Sequence, residues 1–405
     1  METIFNRPLY KVLFGFVVLA VCLNFAVAGI WESFARIGID FDAYYHWNQY
    51  LGTNSEKQVG IYPPSWWLFM IPFRLLSYSA AKTVWIILNL VCVLAIVWGG
   101  FYRIKRTRVW PSSGYYWLFG LLLISILYFY PLIVTLQTGQ VNLILLFLLG
   151  LSFWYYLAQK YAIAGVLLGI ATAMKAFPVL VIGYWLLKKE YKLVGIAIST
   201  VLLLWLLTIP IFGIQKQVLY FQSLFQIAQS SYANGLQSNN TSLYAFWSQT
   251  GNRLFPTIPQ FGKTFFGLNI LILLVAWIYT VYRTGLMPEP RFRLTLEYVW
   301  SVGTLPILLS FTEIHHFILL LLVYLVVVGF WFQIANQPAK LGLVVSWILV
   351  NLGYQICTVT VLPQSSYLYH YLSLFGILIG WVSVLIILFP KKHIANTAND
   401  TEVGG

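Results

Sequence analysis

Charge is scarce in this chain. Only 9% of its 405 residues are Asp, Glu, Lys or Arg, against about a quarter in an ordinary soluble domain. Acid is scarcer than base, with 11 carboxylates beside 24 Lys and Arg. There are three cysteines, Cys22, Cys92 and Cys357, each inside an apolar run and without metal-ligand spacing or an evident disulfide partner. We read them as small packing residues. These shortages exclude a disordered chain, a disulfide-stapled secreted scaffold and an ordinary cytosolic enzyme. The net charge of +13 would raise nucleic acid as a partner in a soluble protein. Nothing here resembles a module that reads RNA or DNA, and basic residues gather in the cytoplasmic loops of membrane proteins.

What the chain has is apolar surface. Hydrophobic residues make up 60% of it and mean hydropathy is +0.80. The apolar runs are continuous, often about 18 residues or longer, as a helix crossing the hydrocarbon layer requires. They do not alternate as the strands of a membrane barrel do. The composition therefore predicts an all-α, polytopic integral membrane protein with about 12 membrane segments, a single unit over residues 1–389 followed by a polar, disordered, cytoplasmic tail at 390–405.

The first run extends from Val12 to about Trp31. Ala26-Val27-Ala28 resembles a signal-peptidase site, but the run is long for a signal core, and we read it as an uncleaved first helix. Further runs lie at 83–102, 116–134, 141–158, 192–213, 264–282, 297–312, 316–335, 341–362 and 370–389. The stretch 162–187 is interrupted by Lys175 and Pro178, which predicts two short helices meeting near Lys175, an arrangement tolerated where it lines a polar cavity. The segment 64–77 is short and carries Pro72 and Arg74, so it reads as interfacial or re-entrant. With the N-terminus inside, 16 of the 24 Lys and Arg fall on the inner side, as the positive-inside rule expects. Both termini are then cytoplasmic, in a cell (plasma or inner) membrane. Two long loops, 32–82 and 214–263, face the exterior or periplasm.

The outer side gathers the residues able to do chemistry. Asp40 and Asp42 follow the first helix in an aromatic setting, Asp40-Phe41-Asp42-Ala43-Tyr44. A partly desolvated carboxylate there is a candidate general base; capping of the following helix is an equal alternative. Tyr62-Pro63-Pro64-Ser65-Trp66-Trp67 fixes an extended turn followed by an interface anchor. Gln140 and Asn142, in Gln137-Thr138-Gly139-Gln140-Val141-Asn142, can hydrogen-bond hydroxyl-rich ligands or neighbouring helices. Lys175 is costly at membrane depth and lacks an acidic residue nearby in sequence, which points to an anionic partner such as phosphate; snorkelling to the surface is the alternative. Asn240 lies in Ser238-Asn239-Asn240-Thr241-Ser242-Leu243, a polar patch before an aromatic helix. Adjacent His315 and His316 point in different directions on a helix and do not suit one metal ion; either could hydrogen-bond or protonate a phosphate. This inventory suits a transferase whose leaving group is a lipid phosphate, with neither metal nor other cofactor.

At these residues the sequence resembles glycosyltransferase family 87, the polyprenyl-phosphate-mannose-dependent mannosyltransferases of GT-C type. The resemblance runs in order through Asp40-Phe41-Asp42-Ala43-Tyr44, Tyr62-Pro63-Pro64, Gly139-Gln140-Val141-Asn142, Lys175-Ala176-Phe177-Pro178, Asn240-Thr241-Ser242-Leu243 and Leu309-Ser310 to His315-His316. Two departures stand out. Ser310-Phe311-Thr312-Glu313-Ile314 replaces a frequent Ser-Pro-x-Ser-Trp, and the element around Asn240 is commonly Asn-Gln-Ser. The resemblance implies a GT-C-type helical bundle and an inverting transfer of a hexose, mannose by analogy, from a polyprenyl-phosphate donor to a lipid or glycan acceptor. It makes Asp40 rather than Asp42 similar to the catalytic base. Lys175 with His315 or His316 would hold the donor phosphate, and Tyr44, Tyr62, Gln140, Asn142 and Asn240 would meet sugar or acceptor. Two rivals are a transporter or flippase of lipid-linked sugars and a ligase acting on diphosphate-linked glycans. The first expects ionisable residues at midplane in several helices, where this chain offers only Lys175.

Overall fold

The structure, a computed structural model, describes residues 38–46, 62–107, 120, 126, 129–215, 217–222, 240–258, 260–284, 291–331, 334–359 and 371–389. The expected first helix at 12–31, the tail from 390 and much of both long loops lie outside these residues. Every regular element described is helical. In chain order they are α1 (Ile39–Tyr45), α2 (Trp66–Arg74), α3 (Tyr78–Thr107), α4 (Tyr130–Thr138), α5 (Asn142–Leu157), α6 (Tyr161–Met174), α7 (Val179–Leu187), α8 (Tyr191–Phe212), α9 (Leu243–Leu254), α10 (Phe261–Thr284), α11 (Arg291–Leu308), a 3₁₀ turn (Ile314–Leu319), α12 (Leu320–Gly329), α13 (Gln337–Val359) and α14 (Leu372–Leu388).

Three helices are long and apolar enough to cross a bilayer by themselves, within Tyr78–Tyr102, Tyr191–Phe212 and Phe261–Thr284, and a fourth span results if α4 and α5 count as one broken crossing. The expectation of about 12 crossings is therefore not confirmed among the described residues. The outer surfaces of the long helices are apolar. On α3, Val84, Ile87, Val91, Leu94 and Trp98 are all exposed at three- and four-residue spacing, one continuous stripe down a helix. Such a stripe is stable against lipid and not against water. The inner faces pack into one aromatic-rich core containing the fully buried Trp66, Trp185, Trp300 and Tyr298. Cys92 is buried there without a disulfide.

The stretch 162–187 does form two helices, α6 and α7, with Lys175 as the extended residue that ends α6 (φ −152°, ψ 127°). Pro178 cannot continue α6 but suits the start of α7. Ser65, at the head of α2, donates to the carbonyl of Ala173 at 2.6 Å, so the Tyr-Pro-Pro turn is tied to the break. At the far end of α7, Lys188 meets the buried Glu297 of α11 at 2.6 Å.

The sharpest corner joins α4 to α5, which turn by 119°. Gly139 makes it possible: its φ of +69° is in the left-handed region, and an added Cβ would sit 2.7 Å from that of Phe41. Gly38, in front of α1, lies even closer to α4; a Cβ there would overlap the Thr138 carbonyl. Two glycines thus let α1 press against the corner. Trp85 of α3 donates to the Gly139 carbonyl at 2.8 Å and holds the corner from the other side.

Candidate active site

The short helix α1 delivers one carboxylate inward and one outward. Residues two apart on a helix are separated by about 200°. Phe41 and Tyr44 are buried against the core, which sends Asp40 toward the α4–α5 corner and Asp42 toward solvent. The Asp42 side chain is 54% exposed and pairs with His46 of the next turn at 3.1 Å. The two acids therefore do not share a site.

Asp40 is surrounded by the residues that motif order singled out. Tyr44 and Tyr62 hydroxyls lie 2.5 Å apart, and each is within hydrogen-bond distance of Gln140 Oε1, at 3.1 and 3.2 Å. The two phenols supply only two protons to three contacts, so one phenol donates to the other and one to Oε1. The amide oxygen is thereby fixed, and the amide nitrogen is left to donate to Asp40, whose carboxylate it stabilises. Desolvation nevertheless dominates and raises the Asp40 pKa above the ordinary carboxylate value. His315, the Gln140 hydrogen bond and, more weakly, Lys175 pull it down, while Glu313 pushes it up.

Lys175 is buried, at 7% exposure. Its ammonium donates to Asn142 Oδ1 at 3.0 Å and lies 5.5 Å from the ring centroids of Tyr62 and Phe177, near enough for cation–π attraction. The Asn142 orientation follows from the backbone: its Nδ2 donates to the His315 carbonyl at 3.1 Å, which can only accept. His316 is fixed in the same way. Its Nδ1 accepts from the Glu313 amide at 3.1 Å, so in the neutral ring the proton sits on Nε2. That Nε2 is 3.3 Å from Lys175 Nζ. Two donors therefore face each other across a gap that neither can satisfy.

His315 turns elsewhere. Its side chain is 4% exposed and its Nδ1 lies 3.2 Å from Glu313 Oε2, within ion-pair range though not aligned as a hydrogen bond. Thr135 and Asn142 both donate to the His315 carbonyl, so α4 and α5 clamp the histidine turn from behind. Asn240 sits behind this turn as well. Its Oδ1 accepts from the Thr312 and Ser242 amides, each at 3.1 Å, and its Nδ2 donates to the Ser310 carbonyl at 3.4 Å. It is a bracket for residues 310–313, with its amide committed to backbone.

The structure thus brings together Asp40, Tyr44, Tyr62, Gln140, Asn142, Lys175, His315 and His316, from five separate stretches of chain, and leaves Asp42 and Asn240 at the margin. Two contributors carry no role in the sequence reading: Trp85, which steadies the corner, and Glu313, which faces His315. An indole in an apolar helix gives no local signal, whereas Glu313, one of the five acids expected on the outer side, was open to notice. Among the described residues, no group of three His, Cys, Asp or Glu side chains could hold a metal ion. The arrangement can accept a proton at Asp40 and hold an anion at Lys175 and His316.

The family model of glycosyltransferase family 87 matches residues 61–310. No curated protein matches the chain.

Proposed function

Because the chain belongs to glycosyltransferase family 87 and is therefore a glycosyltransferase acting on a sugar donor and an acceptor, we propose that it moves a hexose, mannose by analogy, from a polyprenyl-phosphate donor to a hydroxyl of a lipid or glycan acceptor at the outer membrane face, with inversion. The observation that carries this reading is the pair of opposed donors, Lys175 Nζ and His316 Nε2, 3.3 Å apart. A phosphate oxygen near that gap satisfies both and neutralises the buried ammonium.

Asp40 accepts the acceptor proton as the hydroxyl oxygen attacks the anomeric carbon from the face opposite the phosphate. The anomeric C–O bond breaks and its electron pair stays with the phosphate. Charge develops on that leaving group, where Lys175 and His316 are already placed; stabilising developing charge is often the largest catalytic contribution. Gln140, fixed by the Tyr44 and Tyr62 hydroxyls, holds Asp40.

The donor's tail needs an apolar path. Leu321, Leu325 and Val328 of α12, with Leu343, Val344 and Trp347 of α13, line a groove of about 160 Å³. The α12 wall of the groove starts at Leu321, five residues beyond His316 in the chain, and offers an isoprenoid tail an apolar surface.

The test is incubation of purified protein with a panel of polyprenyl-phosphate sugars and alkyl glycosides, with the products analysed by mass. Release of a lipid monophosphate together with a hexosylated acceptor supports the reading. Release of a lipid diphosphate points to a ligase. Movement of labelled donor across liposomes without product points to a flippase.

A further inference from the structure

Two tautomers are open to the neutral His316 ring. With the proton on Nδ1, Nε2 would accept from the Lys175 ammonium 3.3 Å away, and the pair would close on itself. With the proton on Nε2, both groups aim donors at the gap and leave it to an anion. The choice is made on the far side of the ring, where the Glu313 amide donates to Nδ1 at 3.1 Å. That amide shares one peptide unit with the Thr312 carbonyl. A trans peptide is planar, with C=O and N–H pointing in opposite directions, so whatever grips the carbonyl also aims the N–H.

Thr241 grips it twice. Its backbone N–H donates to the Thr312 carbonyl at 2.7 Å and its hydroxyl does so at 3.0 Å. Both threonines are buried. The rest of Thr312 is committed as well, its N–H to Asn240 Oδ1 at 3.1 Å and its hydroxyl to the Pro306 carbonyl at 2.9 Å. Two donors on the carbonyl polarise the peptide and strengthen the hydrogen bond that its N–H gives. We propose that Thr241 is a positioning residue for the donor phosphate, acting through the Thr312–Glu313 peptide to hold the His316 ring in the orientation and tautomer that direct Nε2–H at the leaving group. Thr241 itself touches no substrate. This rests on the reading of Lys175 and His316 as the phosphate site. It puts control of that site on the second long loop, 71 residues before Thr312 in the chain.

The test is a double-mutant cycle, read by transfer from a polyprenyl-phosphate hexose to an alkyl glycoside with the purified full chain. Thr241→Val keeps the shape and the backbone donor but removes the hydroxyl. Its kcat/KM should fall about three- to ten-fold, the usual worth of one buried hydrogen bond. Thr241→Ser, which keeps the hydroxyl, should stay within about two-fold of wild type. In a His316→Ala background, Thr241→Val should cost less than about two-fold, because the ring through which it acts is gone. A second readout needs no turnover. The ring-nitrogen NMR signals of protein isotope-labelled at histidine, assigned to His316 by their loss in His316→Ala, should show a protonated Nε2 in wild type and shift toward the opposite tautomer in Thr241→Val. If that variant does not fold, Thr241→Ala is read in the same way. Equal losses in the two backgrounds would overturn the inference, as would His316 signals that do not move or wild-type transfer in Thr241→Val. A wild-type protein that transfers no sugar, or His316→Ala with full transfer, would instead overturn the reading of the phosphate site.

Discussion

At the scale of single residues, the division of labour between Asp40 and Asp42 is a matter of helix geometry. Asp40→Asn keeps the size of the side chain and its place beside Gln140 but removes the basic lone pair. Transfer should fall by about 10²–10⁴-fold, the usual worth of a positioned base, with an unchanged unfolding midpoint. Asp42→Asn loses an exposed pair with His46 and weakens a contact with the largely exposed Tyr78 hydroxyl, both worth little in water, and should keep transfer within about two-fold of wild type. Equal losses in the two variants would contradict the geometry. The pH dependence follows from the same residue. Burial raises the Asp40 pKa, the base must be unprotonated to act, and so kcat/KM should fall as pH drops through that raised value. The fall should set in above the range of an ordinary exposed carboxylate, and Asp40→Asn should abolish this acid limb together with the activity. Lys175→Met should cost about 10²–10³-fold, as removal of an oxyanion donor does; Asn142→Ala should cost less, because it orients the ammonium without meeting the leaving group.

At the scale of elements, the site depends on a corner and a break. Gly139→Ala places a Cβ in a left-handed residue against Phe41; the variant should lose about 1–3 kcal/mol of stability, read from its thermal midpoint. It should also lose activity through displacement of Gln140. The break at Lys175 was legible in the sequence, because a lysine and a proline inside an apolar stretch leave little else for the chain to do. The contact of Gly38 with Thr138 and that of Phe41 with Gly139 were not. They join segments about a hundred residues apart, and a glycine looks the same in sequence whether it marks flexibility or close approach. The count of about 12 spans is not confirmed among the described residues, which give three full crossings and a fourth if α4 and α5 count as one, whereas the two short helices expected at 162–187 are present as α6 and α7. The roles of Asp42 and Asn240 turned on direction, which composition does not encode: one points to water and the other is consumed by backbone amides.

At the scale of the whole molecule, the proposal needs the pocket to open on the outer face. The orientation rests on the 16 inner and 8 outer basic residues, a bias that fixes topology because Lys and Arg resist translocation. Two exposed positions read it out. Thr257 lies just after α9, on the loop expected outside, and Lys160 lies in the turn between α5 and α6, expected inside; both are exposed. In a background with Cys22, Cys92 and Cys357 replaced by Ala, a membrane-impermeant maleimide should label Thr257→Cys in intact cells. It should label Lys160→Cys only after permeabilisation. The reverse pattern would put Asp40, Lys175 and His316 on the cytoplasmic side. The acceptor and donor would then have to be presented from within the cell, and the outward transfer proposed here would fail even with every distance in the pocket unchanged.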